Sequence, residues 1–385
     1  MKTAKHVEGK TVLIVPAESL KTDPPPTHPA FFNRMASVNR DVAVAIFAAR
    51  GARTFCDAMA GVGSRGVRVA KEVESAEGAW LVDINREALA LARRSAKVNG
   101  VLGRCRFEKA EVSSFLHSRF GKGEKFDDVD VDPFGSPARQ IPAALSATAD
   151  GGVLSVTATD TAALCGVYPR VAARRYGGTS VSNSFHHETG VRILLYALAR
   201  EGAAQELGVV PVFAHATRHY IRATVEVRVG ATRADESLSM AGYVDWCPLC
   251  KEVWTSKEPE RRCTSCGGKA KAAGPLWAGK VADEELLGRV REDSAAMGLE
   301  EAGKLATGLS GVDGFPPWSF DMDEACSSLG IATVPEAEVR ERLERKGFRT
   351  MRQPFETRGV KTDAPWKEFV DAVKESAGRK RLSDP

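Results

Sequence analysis

The stretch Asp130-Val131-Asp132-Pro133-Phe134-Gly135-Ser136-Pro137 sets a carboxylate, a proline carbonyl and an aromatic ring on consecutive residues. The approach to it, Phe126 to Val131, is apolar and acidic and reads as a buried strand. Pro133 turns the backbone out of that strand and removes one donor. Gly135 permits an unusual backbone angle, and Ser-Pro suits a helix start. Asp132 and Phe134 are therefore expected at the carboxyl end of a strand, where open α/β sheets bind their ligands. Asp130 lies two residues earlier on the same face. Its place inside the strand makes it the structural acid of the pair.

A second chemical stretch is Asp57-Ala58-Met59-Ala60-Gly61-Val62-Gly63-Ser64-Arg65-Gly66. Gly61, Gly63 and Gly66 fit the spacing of a turn that lets a ligand lie against the backbone. Asp83 falls near the end of the next strand, where a carboxylate can accept from a ribose diol. The pair points to an adenosine-containing cofactor, with NAD and S-adenosylmethionine both open.

The Asp-Pro-Phe turn separates these two. Hydride transfer has no use for it, but methyl transfer to an exocyclic amino nitrogen does. The lone pair of that nitrogen is delocalised into the base, so it is a poor nucleophile. A carboxylate and a carbonyl that accept its two hydrogens make it more amine-like as the methyl arrives. An aromatic face stacks the base and keeps the nitrogen in line. Asp132, the Pro133 carbonyl and Phe134 supply those parts.

Cys247-Pro248-Leu249-Cys250 and Cys263-Thr264-Ser265-Cys266 are two Cys-x-x-Cys knuckles separated by residues 251–262. This spacing reads as a closed, structural four-thiolate zinc site. The other four of the eight Cys (Cys56, Cys105, Cys165, Cys326) are scattered and are expected to be buried, reduced thiols. The seven His form no spaced set. His186-His187, at the start of a long helix, are expected to pack or to face solvent.

The elements that must position these residues alternate regularly. Strands are expected over 53–60, 79–84, 106–111, 127–132 and 152–159, with helices over 67–74, 86–99, 113–120 and 137–147 between them. A long helix over 185–201 and a closing hairpin, 209–216 with 222–229, follow. This is a mostly parallel, doubly wound α/β sheet. Ahead of it come a short strand at 11–15, a Pro-rich link at 23–29 and a helix ending at Arg50. We expect residues 1–234 to form one domain, with 1–50 as its extension. Residues 235–385 form a second, with the zinc module at 245–270 and a small α/β or mainly helical remainder with helices over 283–298, 319–329 and 335–346.

The chain has 385 residues, 43% hydrophobic and 27% charged, as in an ordinary folded protein. No apolar run has the length of a membrane span or a signal peptide, which implies the cytoplasm. Net charge is only +4, yet from Arg340 to Pro385 13 Lys/Arg stand against 8 Asp/Glu. That basic end suits a polyanion. The last ten residues are expected to be a solvated tail. Nothing in the chain calls for an obligate protein partner.

DPFGSP at 132–137, VTATDTAALCGVYPR at 156–170, FFNRMASVNRD at 31–41 and GVKTDAP at 359–365 together resemble the tRNA (guanine-26-N2)-dimethyltransferase family, in its archaeal form. The resemblance spans nearly the whole chain, knuckles included. It implies a class I, Rossmann-like methyltransferase domain, a family-specific C-terminal domain, S-adenosylmethionine as donor and tRNA as substrate. By position it implies cofactor contacts at Arg40, Arg65 and Asp83, and at Glu111 with Val112, where relatives usually carry Asp-Ala; the Gly-rich turn itself adds Asp57, Gly61 and Gly63. It implies Asp132 as the catalytic acid and Phe134 and Phe31 as the aromatics around the guanine. Relatives often read Asn-Pro-Arg-Met where this chain reads Asn33-Arg34-Met35, and ungapped counting back from Asn39 selects Phe31 over Phe32. Two other classes fit the residues: a methyltransferase for another amino group in rRNA or DNA, and a non-enzymatic RNA-binding protein on the same fold.

Overall fold

The computed structural model describes residues 1–356 and 358–380. Its fifteen strands, in chain order, are β1 (Thr3–Glu8), β2 (Thr11–Pro16), β3 (Thr54–Asp57), β4 (Gly78–Asp83), β5 (Cys105–Lys109), β6 (Phe126–Val131), β7 (Thr148–Ala158), β8 (Leu207–Thr217), β9 (Tyr220–Val229), β10 (Ala241–Trp246), β11 (Val253–Ser256), β12 (Lys271–Trp277), β13 (Phe320–Asp321), β14 (Thr350–Arg352) and β15 (Gly359–Thr362). The first helices are α1 (Ser37–Arg50), α2 (Ser64–Glu72), α3 (Arg86–Val98), α4 (Val112–Phe120) and α5 (Ile141–Ala147).

The central sheet has seven strands in the order β5-β4-β3-β6-β7-β9-β8. β3 to β7 run parallel, and β9 is antiparallel to both β7 and β8. The expected closing hairpin is present, with β9 inserted between β7 and β8. β3, β6 and β7 are buried at almost every position because both faces of the sheet are covered. Strand order reverses between β3 and β6, so the two turns that leave these strands flank the switch point of the sheet. Those turns are the Gly-rich segment and the Asp-Pro-Phe segment.

The N-terminal extension forms a wall over this edge. β1 and β2 make a hairpin whose register runs from Thr3 opposite Pro16 to Glu8 opposite Thr11. It is tied to α3 by Val12 N donating to Asn99 Oδ1 (3.0 Å) and Ile14 N donating to Ser95 Oγ (2.8 Å). Leu13, Val15, Ala30 and Phe32 then pack with Val62, Ala88 and Leu91. Asn85 Nδ2 donates to the Pro29 carbonyl at 2.9 Å and holds the Pro-rich link against the mouth of the sheet.

Residues beyond 234 form two further three-stranded sheets, β11-β10-β12 and β13-β15-β14, with helices around them. The main apolar cluster runs without a break from Val44 in α1 to Phe369 and Val373. A buried ionic group crosses the same join. Lys361 Nζ donates to Glu188 Oε2 and to the Pro316 carbonyl, both at 2.7 Å. Arg192 bonds Glu188 and the carbonyls of Trp277 and Gly279.

Two expectations need correction. The segment 376–385 does not begin as a tail: a helix runs over Trp366–Lys380. Its apolar stripe of Phe369, Ala372 and Val373 continues to buried Ser376, which accepts from Arg342 Nε at 2.8 Å. Residues 381–385 lie outside the described residues. The basic surplus of this end is also mostly spent locally. Arg340, Arg342, Arg345, Lys346, Arg349 and Arg358 each pair with a carboxylate nearby.

Candidate active site

A cavity of about 800 Å³ opens at the switch point. Its walls come from the Gly-rich turn, the Asp-Pro-Phe turn, residues 23–40 and the β8–β9 turn. The strand ends put Asp57 and Asp130 side by side in register, which brings both motifs to one place.

The Gly-rich turn is held from β4. Asp83 Oδ2 accepts from Gly61 N at 2.7 Å, and Oδ1 accepts from Asn85 N at 2.7 Å. Gly61 and Gly63 have φ of 54° and 73°. A Cβ at Gly61 would point toward the cavity, 3.7 Å from the Phe31 carbonyl. A Cβ at Gly63 would lie 2.6 Å from Ala92 Cβ and Leu81 Cδ2. Gly61 keeps the pocket floor open, and Gly63 lets the turn sit against α3.

Arg65, the second residue of α2, reaches back under the cavity and is almost fully buried. Nη1 lies 3.0 Å from Asp130 Oδ1 and 3.8 Å from Asp57 Oδ1. Nη2 donates to Asp132 Oδ2 and to Asn39 Oδ1, each at 2.8 Å. Asp130 also pairs with buried Arg222, which donates to Thr157 Oγ1 at 3.0 Å. Asn39 Nδ2 closes the ring onto the same Thr157 oxygen at 3.2 Å. Three carboxylates thus share two guanidinium groups. Burial pushes the Asp57 carboxyl up to about 7, partly opposed by Arg65. Burial alone would lower Arg65, but Asp130, Asp132 and Asp57 more than offset it and push it up.

Within this group Asp132 is the acid that faces the cavity, with a side chain 27% exposed, whereas Asp130 is fully buried. Oδ2 is held by Arg65, and Oδ1 has no protein partner among the described residues. The Pro133 carbonyl also carries no backbone partner among them. Gly135, at φ 79°, turns the chain, and two reciprocal bonds clamp the turn to the end of β7. Gly135 N donates to Thr159 Oγ1 at 2.7 Å, and Thr159 N donates to the Gly135 carbonyl at 2.8 Å. Phe134 is left 69% exposed. Its ring meets Phe31 edge to face, with centroids 4.8 Å apart. Phe32 points the other way, into the packing beneath Arg40.

The expected cofactor residues divide. Asp57, Gly61, Arg65, Asp83 and Arg40 all line the cavity. Arg40, however, gives Nε and Nη2 to Glu8 in a two-point pair at 2.6 and 2.7 Å. Gly63, Glu111 and Val112 do not line it. Glu111 caps α4, accepting from the amides of Ser113 and Ser114 at 3.0 and 2.8 Å, and Val112 is buried in the core. Residues not singled out from the sequence complete the walls: Met59, Ile84, Asn85, Asn39, Thr157 and the turn Arg218-His219-Tyr220. Arg218 adopts φ 54°, unusual for a side-chain-bearing residue.

The four knuckle cysteines converge in the β11-β10-β12 sheet. Their sulfurs all lie within 4.8 Å of one another, with Cys247–Cys266 and Cys250–Cys263 at 3.6 Å. These separations exclude disulfides. They fit thiolates around one zinc, where bonds of about 2.3 Å set sulfurs about 3.8 Å apart. Burial pushes the Cys247 thiol up, but amides of Cys250 and Leu249 turned toward its sulfur bring it down to about 7.

The backbone superposes on Trm1 from Pyrococcus horikoshii, solved in complex with S-adenosyl-L-methionine, with a TM-score of 0.83 at 28% identity, over 96% of this chain and 99% of that one. Fold and site together define an α/β methyltransferase of the S-adenosylmethionine-dependent class. Residues 9–374 match the family described as N2,N2-dimethylguanosine tRNA methyltransferase. The chain is 36% identical over 374 residues to the tRNA (guanine(26)-N(2))-dimethyltransferase of Methanopyrus kandleri, covering 96% of each. It is 34% identical over 394 residues to that of Methanosarcina acetivorans, covering 97% of this chain and 98% of the relative. This chain belongs to the N2,N2-dimethylguanosine tRNA methyltransferase family.

Proposed function

We propose that this protein transfers one or two methyl groups from S-adenosylmethionine to N2 of guanine 26 in tRNA. The observation that carries the reading is Asp132, held by Arg65 through one oxygen and open to the cavity through the other. The bound donor supplies an electrophilic methyl on a sulfonium. The open Asp132 oxygen and the Pro133 carbonyl accept the two N2 hydrogens and raise electron density on the nitrogen. Nitrogen would take the methyl directly as the bond from methyl to sulfur breaks, leaving the donor as a neutral thioether, and the proton released from nitrogen would leave through Asp132 to solvent. No covalent enzyme intermediate is needed. Phe134 and Phe31 receive the base, which must leave its stack to enter. Their edge-to-face contact closes the slot, so the base must part the rings to stack on either of them.

Asp83 accepts from the ribose of the donor in this reading, with Gly61 giving the close approach and Gly63 packing the turn against α3. Arg65 and Asp57 act under the cavity, orienting Asp132. Arg40 fixes the N-terminal wall through Glu8. The four cysteines hold a structural zinc, and residues 235–385 form a unit that grips the tRNA backbone around it. Lys251 and Lys271 flank the Trp246 ring there, at 5.4 and 5.5 Å. Surface ion pairs such as those of the C-terminal helices are weak and can exchange a carboxylate for a phosphate. The cytoplasm is the compartment this substrate implies.

The test is label transfer from S-adenosylmethionine to unmodified tRNA and to a tRNA with G26 changed to A. Label in the first alone is expected. Label in neither sinks the tRNA reading, and equal label in both moves the target. Asp132→Asn should abolish transfer while the donor still binds by calorimetry. Retained turnover would remove Asp132 from its role.

A further inference from the structure

Outside the cavity and the knuckles, one more group of metal-binding side chains converges among the described residues. Cys165 follows the short helical turn Thr161–Leu164 beyond β7, and His186 and His187 open the long helix His186–Ala203. Each brings a ligand atom within 4.8 Å of the other two. The imidazole rings lie with centroids 4.3 Å apart.

The outer contacts of the two rings fix their chemistry. His186 Nδ1 lies 2.5 Å from the Asn183 carbonyl, which can only accept, so this nitrogen carries the proton. His187 Nδ1 lies 2.6 Å from Glu356 Oε2, and the other Glu356 oxygen accepts from His187 N at 2.8 Å. His187 Nδ1–H therefore donates to the carboxylate. In both rings Nε2 is left with its lone pair. Metal-bound histidines are oriented in this way, with one nitrogen donating to a carbonyl or carboxylate and the other facing the ion. Cys165 is buried, and the histidines are half-buried and give access from solvent.

We propose that Cys165, His186 and His187 form a second metal site, for a borderline divalent cation of the zinc type. One thiolate and two imidazoles suit that ion over magnesium or calcium. Tetrahedral bonds of about 2.0–2.3 Å need donors about 3.3–3.6 Å apart, so the side chains must close by about 1 Å. On binding, the Cys165 thiol loses its proton to solvent as the sulfur–metal bond forms. The fourth position goes to water. Such an ion staples the segment beyond β7, which clamps the Phe134 turn through Thr159, to the long helix. Through Glu356 it also reaches the C-terminal half.

The test uses the full-length, tag-free chain, loaded with zinc and passed through gel filtration. Wild type is expected to hold one more equivalent of zinc than Cys165→Ser or His187→Asn. Equal zinc in wild type and in both folded variants overturns the proposal. If the variants lose their circular dichroism, cobalt titration of wild type decides instead. A second equivalent with the weak charge-transfer band of a single thiolate supports the site. Only the strong four-thiolate band, saturating at one equivalent, refutes it.

Discussion

Replacing Arg65 by Met removes the cation that Asp57, Asp130 and Asp132 share and keeps an unbranched apolar chain in its place. Asp130 retains Arg222, but Asp57 and Asp132 lose their guanidinium. Breaking a buried pair from one side costs about 3–5 kcal/mol when the remaining charge stays ionised. The loss depends on pH through Asp57. In the folded protein its pKa is raised to about 7, so it binds its proton more tightly folded than unfolded. Its effect on stability is favourable at low pH and is lost as pH rises from the ordinary carboxylate range through about 7. The slope in that window is about 1.4 kcal/mol per pH unit. Without Arg65 the window extends upward. The variant should therefore be weaker than wild type at both pH values, by about 1.4 kcal/mol more at pH 8 than at pH 5.5, where Asp57 is protonated in both proteins. Urea unfolding at both pH values, with equal m-values, measures this. Adding Asp57→Asn should recover part of the loss at pH 8. Turnover should fall by about 100-fold even where the protein is folded, because Asp132 loses its orientation. An equal loss at both pH values, or none, would refute the shared-cation reasoning.

Phe134→Ala should leave stability within about 0.5 kcal/mol, since the ring is mostly exposed. It should lower kcat/KM for tRNA by about 5- to 150-fold through lost stacking; an unchanged value would remove Phe134 from the base slot. Gly63→Ala meets a positive φ and contacts at 2.6 Å. It should cost about 1–3 kcal/mol in thermal or urea unfolding and weaken donor binding; wild-type behaviour in both would count against the close packing on α3. Binding of tRNA should weaken about ten- to thousandfold between 50 and 200 mM salt, measured by filter binding. A flat salt profile would remove the backbone grip.

The sheet was legible because its punctuation is strong. Glycines at 61, 63 and 66 and the proline at 133 mark where strands end, and apolar runs between them have strand length. Position relative to Pro133 also separated Asp130, inside the strand, from Asp132 at its end, and the structure buries the first and exposes the second toward the cavity. Arg65 was less legible. Its position in the Gly-rich turn suggested a ligand contact, but its partners come from β3, β6 and α1, and pairing between strands cannot be read along one. Glu111 was placed at the site by the family resemblance alone, with no local signal; its side chain caps a helix. The helix Pro169–Tyr176 was missed, although Pro169 at its first turn was the available signal. The Arg218-His219-Tyr220 wall gave no local signal beyond a short connection. Cys165 and His186-His187 are twenty residues apart, and only the fold makes them neighbours.

The buried group around Lys361 sets a timetable for synthesis. Glu188 and Arg192 pair with each other on a helix that packs against the central sheet, yet their remaining partners come from residues 277–361. A nascent chain that has emerged only through β9 already contains every strand of that sheet. It still leaves a carboxylate, a guanidinium and an apolar helix face uncovered. The group is complete only when β15 arrives and delivers its lysine. Chains that stop before β15 should thus be marked for capture by chaperones and proteases even though their catalytic strands are complete.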